Sequence, residues 1–196
     1  MAQAPLEDRL VDAAEALIEQ HGAHGFSLRE AARKVKVDPA MVYRNFKDRA
    51  DLVRAVANRG FRRLAAAMQR ALETPKGRDD RLRALGHAYV KFALAEPALF
   101  RLMFGPDRGA INDTGTTPMG LLVEVLGDRA SPENAALCWA GVHGVATLAL
   151  EGSLQRTQPV EPNALVELVL DAIIAQLSAP DESRTRRAGS VRTARR

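Results

Sequence analysis

The sequence predicts an all-α protein of about nine helices, with a small three-helix unit at the N-terminal end and a larger helical domain behind it. Three observations carry this. Apolar residues recur at three- and four-residue spacing nearly throughout, and no stretch shows the strict alternation of a half-buried strand. The breakers Thr74-Pro75-Lys76-Gly77, Gly105-Pro106-Asp107, Gly115 to Pro118, Ser131-Pro132 and Gln158 to Pro162 cut the chain into helix-sized pieces.

The first helix, 5–21, is read from the stripe Leu6, Leu10, Ala13, Ala14, Leu17 and Ile18, and it stops at His21-Gly22. Three helix starts then follow in quick succession. Ser27 with Glu30 three residues later has the spacing of a capping box and opens 28–35. Asp38-Pro39 sets an N-cap before a proline whose missing N–H costs nothing at the first helical position, and opens 39–45. Asp48 and Asp51 repeat the capping spacing for a long helix, 49–73. Only about three residues separate 28–35 from 39–45, too few for anything but an abrupt bend, so the pair is a helix-turn-helix. Small Ala31 and Ala32 allow close approach, and Leu28, Val35, Val37, Val42 and Phe46 supply the apolar floor.

The remaining helices are predicted over 79–95, 97–104, 118–127, 132–155 and 162–178. After Ser178 the chain turns to Arg, Ser, Thr, Ala and Gly without periodicity, which cannot offset the entropy of ordering, so a disordered basic tail is expected. The expected division is a helix-turn-helix domain over 1–48, a ligand-binding and dimerisation domain over 49–179, and the tail over 180–196.

Composition narrows the class. With 46% hydrophobic and 27% charged residues, and no apolar run near the ~20 residues that cross a bilayer, a globular chain without a membrane partner is expected. No basic and apolar export pattern precedes Glu7, Asp8 and Asp12, which points to the cytoplasm. The single cysteine, Cys138, stands between Leu137 and Trp139 and reads as a small buried hydrophobe.

The net charge of +4 is unevenly placed: residues 27–63 carry 11 Lys or Arg against four acids, while residues 1–26 and 64–179 are net acidic. The basic segment contains the helix-turn-helix, which makes double-stranded DNA the expected partner. A helix from Pro39 to Asn45 has the dimensions to enter a major groove about 12 Å wide. Its exposed candidates are Pro39, Ala40, Tyr43 and Arg44. Arg44 can bond guanine O6 and N7 with its fork, and Pro39 or Ala40 can touch a thymine methyl. Tyr43, Asn45, Lys47 and Arg49, with Ser27 and Arg29 at the preceding helix start, are candidates for phosphate contacts that fix register. The same pattern also fits a three-helix module that only packs.

Residues 22–52 closely resemble the N-terminal domain of TetR-family regulators. That pattern has an aromatic and a Ser/Thr entering the second helix, Val-Ser/Asp followed by Tyr-x-x-Phe across the third, and a basic residue then Leu opening the fourth. Phe26, Ser27, Val37, Asp38, Tyr43, Phe46, Arg49 and Leu52 fit. Further on, Ala98 to Phe104 and Trp139-Ala140-Gly141-Val142-His143-Gly144 resemble the ligand domain of the subgroup named for its Trp-His-Gly signature. The resemblance implies a homodimer and a regulator released by a ligand. Two positions depart from it. Lys36 stands where glycine is usual, so a positive φ there implies roughly 1 kcal/mol of strain. Arg49 replaces a lysine and adds a fork.

Among the larger side chains of the second domain, Phe61, Tyr89, Phe92, Phe100, Phe104, Trp139 and His143 are the candidates for contact with a small, largely apolar ligand. Each is also suited to plain core. Gly141, Gly144, Ala146 and Ala149, with Leu165, Leu168, Val169, Ala172, Ile173 and Leu177, suit pairing with a second copy in a four-helix bundle. A dimer also matches the geometry of palindromic sites, whose half-sites lie about 34 Å apart. The histidines His21, His24, His87 and His143 lack metal-ligand spacing, and neither a nucleophile triad nor a phosphate-binding glycine loop is present, so no enzyme, metal or cofactor is expected. The rival reading is a ligand sensor or interaction protein of the same fold that does not select DNA.

Overall fold

The computed structural model describes residues 4–22, 24–109, 115–157 and 159–179. Among the described residues ten α-helices follow one another and no strand occurs: α1 (Leu6–His21), α2 (Leu28–Val35), α3 (Pro39–Asn45), α4 (Arg49–Ala71), α5 (Arg78–Ala95), α6 (Pro97–Phe104), α7 (Pro118–Leu126), α8 (Pro132–Leu150), α9 (Ser153–Thr157) and α10 (Pro162–Ser178). Short 3-10 turns lie at Pro106–Arg108 and Gly127–Arg129.

The predicted helix 132–155 is the one that differs. It breaks after Leu150, where Gly152 takes φ +66°, a left-handed value that cannot continue a right-handed helix. Arg156 reaches back across the break, its guanidinium donating to the Glu151 carbonyl at 2.8 Å. The expected disordered tail, 180–196, lies outside the described residues.

Helices α1, α2 and α3 pack together at one end, and α5, α8 and α10 pack on one another at the other. The crossings in the second group are close because glycines permit them. A Cβ on Gly86 would come within 2.9 Å of the Leu170 side chain, and one on Gly141 within 2.8 Å of Val169. Helix α4 belongs to both groups, packing on α1 and also on α5, α6 and α7. At 23 residues it extends roughly 35 Å. The buried apolar side chains form one connected core from Leu10 on α1 to Ile173 on α10. No helix among the described residues is long and apolar enough to cross a membrane.

Candidate functional site

The capping residues build the N-terminal site. Ser27 and Glu30 close the capping box, with the Ser27 N–H donating to Glu30 Oε2 at 2.7 Å and the Glu30 N–H to Ser27 Oγ at 3.2 Å. The Ser27 hydroxyl and the Ser27 N–H, both donating to Glu30 Oε2, hold the Glu30 carboxyl below its usual range. Asp38 Oδ1 accepts the Ala40 N–H at 2.8 Å and starts α3. The turn between the helices runs through Lys36 at φ 57°, ψ 49°, so the lysine takes the left-handed conformation that its position in the turn demands. At the next joint, Asp48 Oδ1 accepts the Asp51 N–H, and Asp51 Oδ2 accepts the Lys47 N–H at 3.2 Å. The Lys47 N–H and the Arg54 guanidinium together depress the Asp51 carboxyl.

These restraints turn α3 so that Val42 is fully buried while its other side faces outward. Pro39, Ala40, Met41, Tyr43, Arg44 and Asn45 are exposed, Tyr43 to 54%. Asn45 Nδ2 donates to the Met41 carbonyl at 2.8 Å, and Arg44 Nη1 lies 3.9 Å from Met41 Sδ. Arg29 and Lys47 are exposed beside the helix. Two further sequence candidates carry structural bonds. The Ser27 hydroxyl also bonds Glu30, at 3.0 Å. Arg49 is half-buried, its guanidinium 5.1 Å above the Phe26 ring and its Nε donating to the Phe26 carbonyl at 3.1 Å. Met41 is the exposed member of this face that the sequence reading passed over.

The C-terminal domain holds a half-open cavity of about 330 Å³ between α4, α5, α6, α7, α8 and α10. Phe61, Tyr89, Phe104 and Trp139 line it, as anticipated. Phe92, Phe100 and His143 are not in its wall: Phe92 and Phe100 are buried, and Phe100 backs the wall with its ring edge-on to Tyr89 at 5.6 Å and 4.8 Å from Phe104. His143 sits behind Tyr89, whose hydroxyl is 2.8 Å from Nδ1. Trp139 Nε1 donates to the same hydroxyl at 3.3 Å. Burial pushes the Tyr89 phenol up and the His143 imidazole down. Cys138 also faces the cavity, and burial raises its thiol, which keeps it protonated and inert.

Sequence reasoning missed Arg108 and Thr117 in this wall. The Gly105-Pro106-Asp107 stretch reads only as a break, whereas it folds as a 3-10 turn that sets Arg108 at the cavity. Several residues assigned to a dimer face belong inside. Gly141 is spent on the crossing with Val169 and Ile173, and Ala146 is fully buried. Outward apolar residues include Leu137, Ala140 and Leu148 on α8, with Gly144 half-exposed among them, and Ala164, Leu168 and Ala172 on α10.

Contacts connect the cavity to the head. Phe61 on α4 meets Phe104 on α6 edge-on at 5.3 Å. Beside it Gly60 admits α6 so closely that a Cβ would lie 2.6 Å from Met103 Sδ. Helix α1 is tied to α4 by ion pairs of Arg59 with Asp8 and Asp12, and of Arg63 with Glu15, while Arg63 also pairs with Glu96 at the start of α6.

Residues 10–56 match the family described as "Bacterial regulatory proteins, tetR family", and residues 82–173 match "Tetracyclin repressor-like, C-terminal domain". The chain is 32% identical over 91 residues to the uncharacterized HTH-type transcriptional regulator YobS of Bacillus subtilis. That match covers 46% of this chain and 47% of YobS, so the chain spans about half the length of the curated relative it matches. Among solved structures, a protein of unknown function from Rhodococcus sp. RHA1 is 32% identical with a TM-score of 0.77, over 90% of this chain and 97% of that one. The transcriptional regulator FadR from Bacillus subtilis, in complex with stearoyl-CoA, shares the fold at 15% identity and a TM-score of 0.64, over 85% of this chain and 96% of that one. With both halves matched, the chain belongs to the TetR family of transcriptional regulators.

Proposed function

We propose that this protein is a ligand-responsive repressor that binds palindromic operator DNA as a homodimer in the cytoplasm, with 1–48 reading DNA and 49–179 holding ligand and partner. The observation that carries the reading is α3, a short helix anchored by buried Val42 with Tyr43 and Arg44 projecting from it. In this reading Pro39, Ala40 and Arg44 meet base edges, and Tyr43, Asn45, Lys47 and Arg29 hold phosphates. Ser27 and Arg49, bonded to Glu30 and Phe26, act mainly by fixing the start of α2 against α4.

The dimer uses the outward stripes of α8 and α10. Leu168 is 63% exposed and shares its face with Ala164 and Ala172, a surface of small and apolar groups suited to close helix packing. The apolar cavity receives the ligand, with Phe61, Tyr89, Phe104 and Trp139 in contact and Phe92, Phe100 and His143 behind them. That the Bacillus subtilis FadR, which shares the fold, is in complex with stearoyl-CoA supports a ligand-binding role for a protein of this fold. Filling the space beside Phe61 and Phe104 displaces α4 and α6 together, and the Arg59 and Arg63 ion pairs carry that displacement to α1. Repression follows from steric occlusion of the operator. Selection of genomic fragments by the purified full chain tests the reading: a recurring palindrome supports it, and no preference over bulk DNA overturns it.

A further inference from the structure

The wall of the cavity is almost wholly apolar or aromatic, and its polar groups at the aromatic end bond to one another. Trp139 Nε1 donates to Tyr89 Oη, which is also hydrogen-bonded with His143 Nδ1. The Cys138 thiol is kept protonated by burial, and Thr117 Oγ1 accepts the Gly120 N–H at 2.9 Å as the cap of α7. None of these groups carries a charge. Arg108 differs. It is the one charged residue of the described wall, it is half-buried, and it has no ion-pair partner among the described residues. Arginines on α5 are matched, Arg78 with Asp128, Arg81 with Glu124 and Arg83 with Glu167.

A guanidinium at the edge of an apolar cavity, without an ion-pair partner among the described residues, offers a planar fork to a carboxylate or phosphate, repels a cation, and gains nothing from a neutral hydrocarbon. We propose that the cavity takes an anionic amphiphile, its carboxylate or phosphate on Arg108 and its apolar body against Phe61, Phe104 and Trp139. This rests on the reading of the cavity as the ligand site of a regulator and names the ligand's chemical class.

The location of Arg108 also gives the head group a path to the DNA-reading unit. The residue after it, Gly109, lies against α4 so that a Cβ there would be 3.4 Å from Arg54 Cδ. Arg54 pairs with Asp51, and Asp51 accepts the Lys47 N–H at the joint of α3 and α4. An anion that draws Arg108 toward the cavity pulls on the turn packed against Arg54.

The test is calorimetric titration of the purified full chain with decanoate, decyl phosphate and decanol. We expect at least one of the two anions to bind about tenfold more tightly than decanol, the scale of one charge-assisted hydrogen-bonded contact. Arg108→Gln is expected to lower anion affinity to that of the alcohol while decanol binding stays unchanged, and Arg108→Lys to retain most of the preference. Whichever anion binds more tightly identifies the head group. Equal binding of all three probes by the wild type, binding of none, or a preference that survives in Arg108→Gln overturns the proposal. Should the variant fail to fold, the wild-type comparison of anion with alcohol still decides. The regulator reading fails by a different result, the absence of DNA selection by the ligand-free protein.

Discussion

The Tyr89 hydroxyl stands 2.8 Å from Nδ1 of His143, across 54 residues of sequence. Trp139 Nε1 donates to the same oxygen, which ties the three side chains together. Burial pushes His143 below its ordinary 6.5 and so favours the neutral imidazole. As pH falls, the unfolded chain takes up a proton on this imidazole before the folded one does. The stabilisation from the neutral imidazole is therefore present above pH 6.5 and lost below it. We expect the denaturation midpoint of the wild type to fall between about pH 7 and pH 5 more than that of His143→Gln. Parallel curves for the two proteins would remove His143 as the titrating group.

Lys36 at φ 57° stores strain in the turn of the reading unit. Lys36→Gly is expected to raise stability by about 0.5 to 1 kcal/mol, part of the relief being offset by glycine's greater freedom in the unfolded chain. Denaturant titration measures it, and a fall in the midpoint would show that the lysine makes a compensating contact.

Gly60 gives α6 its approach to α4, with room for no Cβ beside Met103. Gly60→Ala is expected to cost about 1 to 3 kcal/mol by overpacking and to alter ligand response by parting Phe61 from Phe104. Denaturation and ligand titration check both, and an unchanged midpoint would mean that α6 shifts freely.

Leu168 is exposed in one chain and central to the proposed dimer face. Leu168→Glu is expected to leave the helices intact and yield a monomer by sedimentation. A dimer that persists places the interface elsewhere.

How legible these features were follows the range of the interactions. The head was readable because capping pairs such as Ser27 with Glu30, and a turn as short as the one through Lys36, are written within a few residues. Helix starts at Pro39, Pro97, Pro132 and Pro162 were readable for the same reason. The break at Gly152 was not, since the apolar periodicity continues past Leu150 and only the left-handed glycine interrupts it. The cavity was half-legible. Large aromatic residues marked its wall, but which face inward depends on contacts between distant residues, so Phe100 and His143 fell behind the wall and Arg108 came to its edge. Gly141 misled for a related reason, because a small residue permits close packing without saying whether the neighbour belongs to the same chain.

Arg44, exposed beside Tyr43 on α3, gives the most direct test of DNA reading. The measurement is selection of binding sites from random DNA by the wild type and by Arg44→Ala at fixed salt. The account predicts a palindromic consensus for the wild type, relaxed in the variant by about 1 to 3 kcal/mol at one base pair per half-site. No consensus from the wild type, or an identical one from the variant, would contradict it.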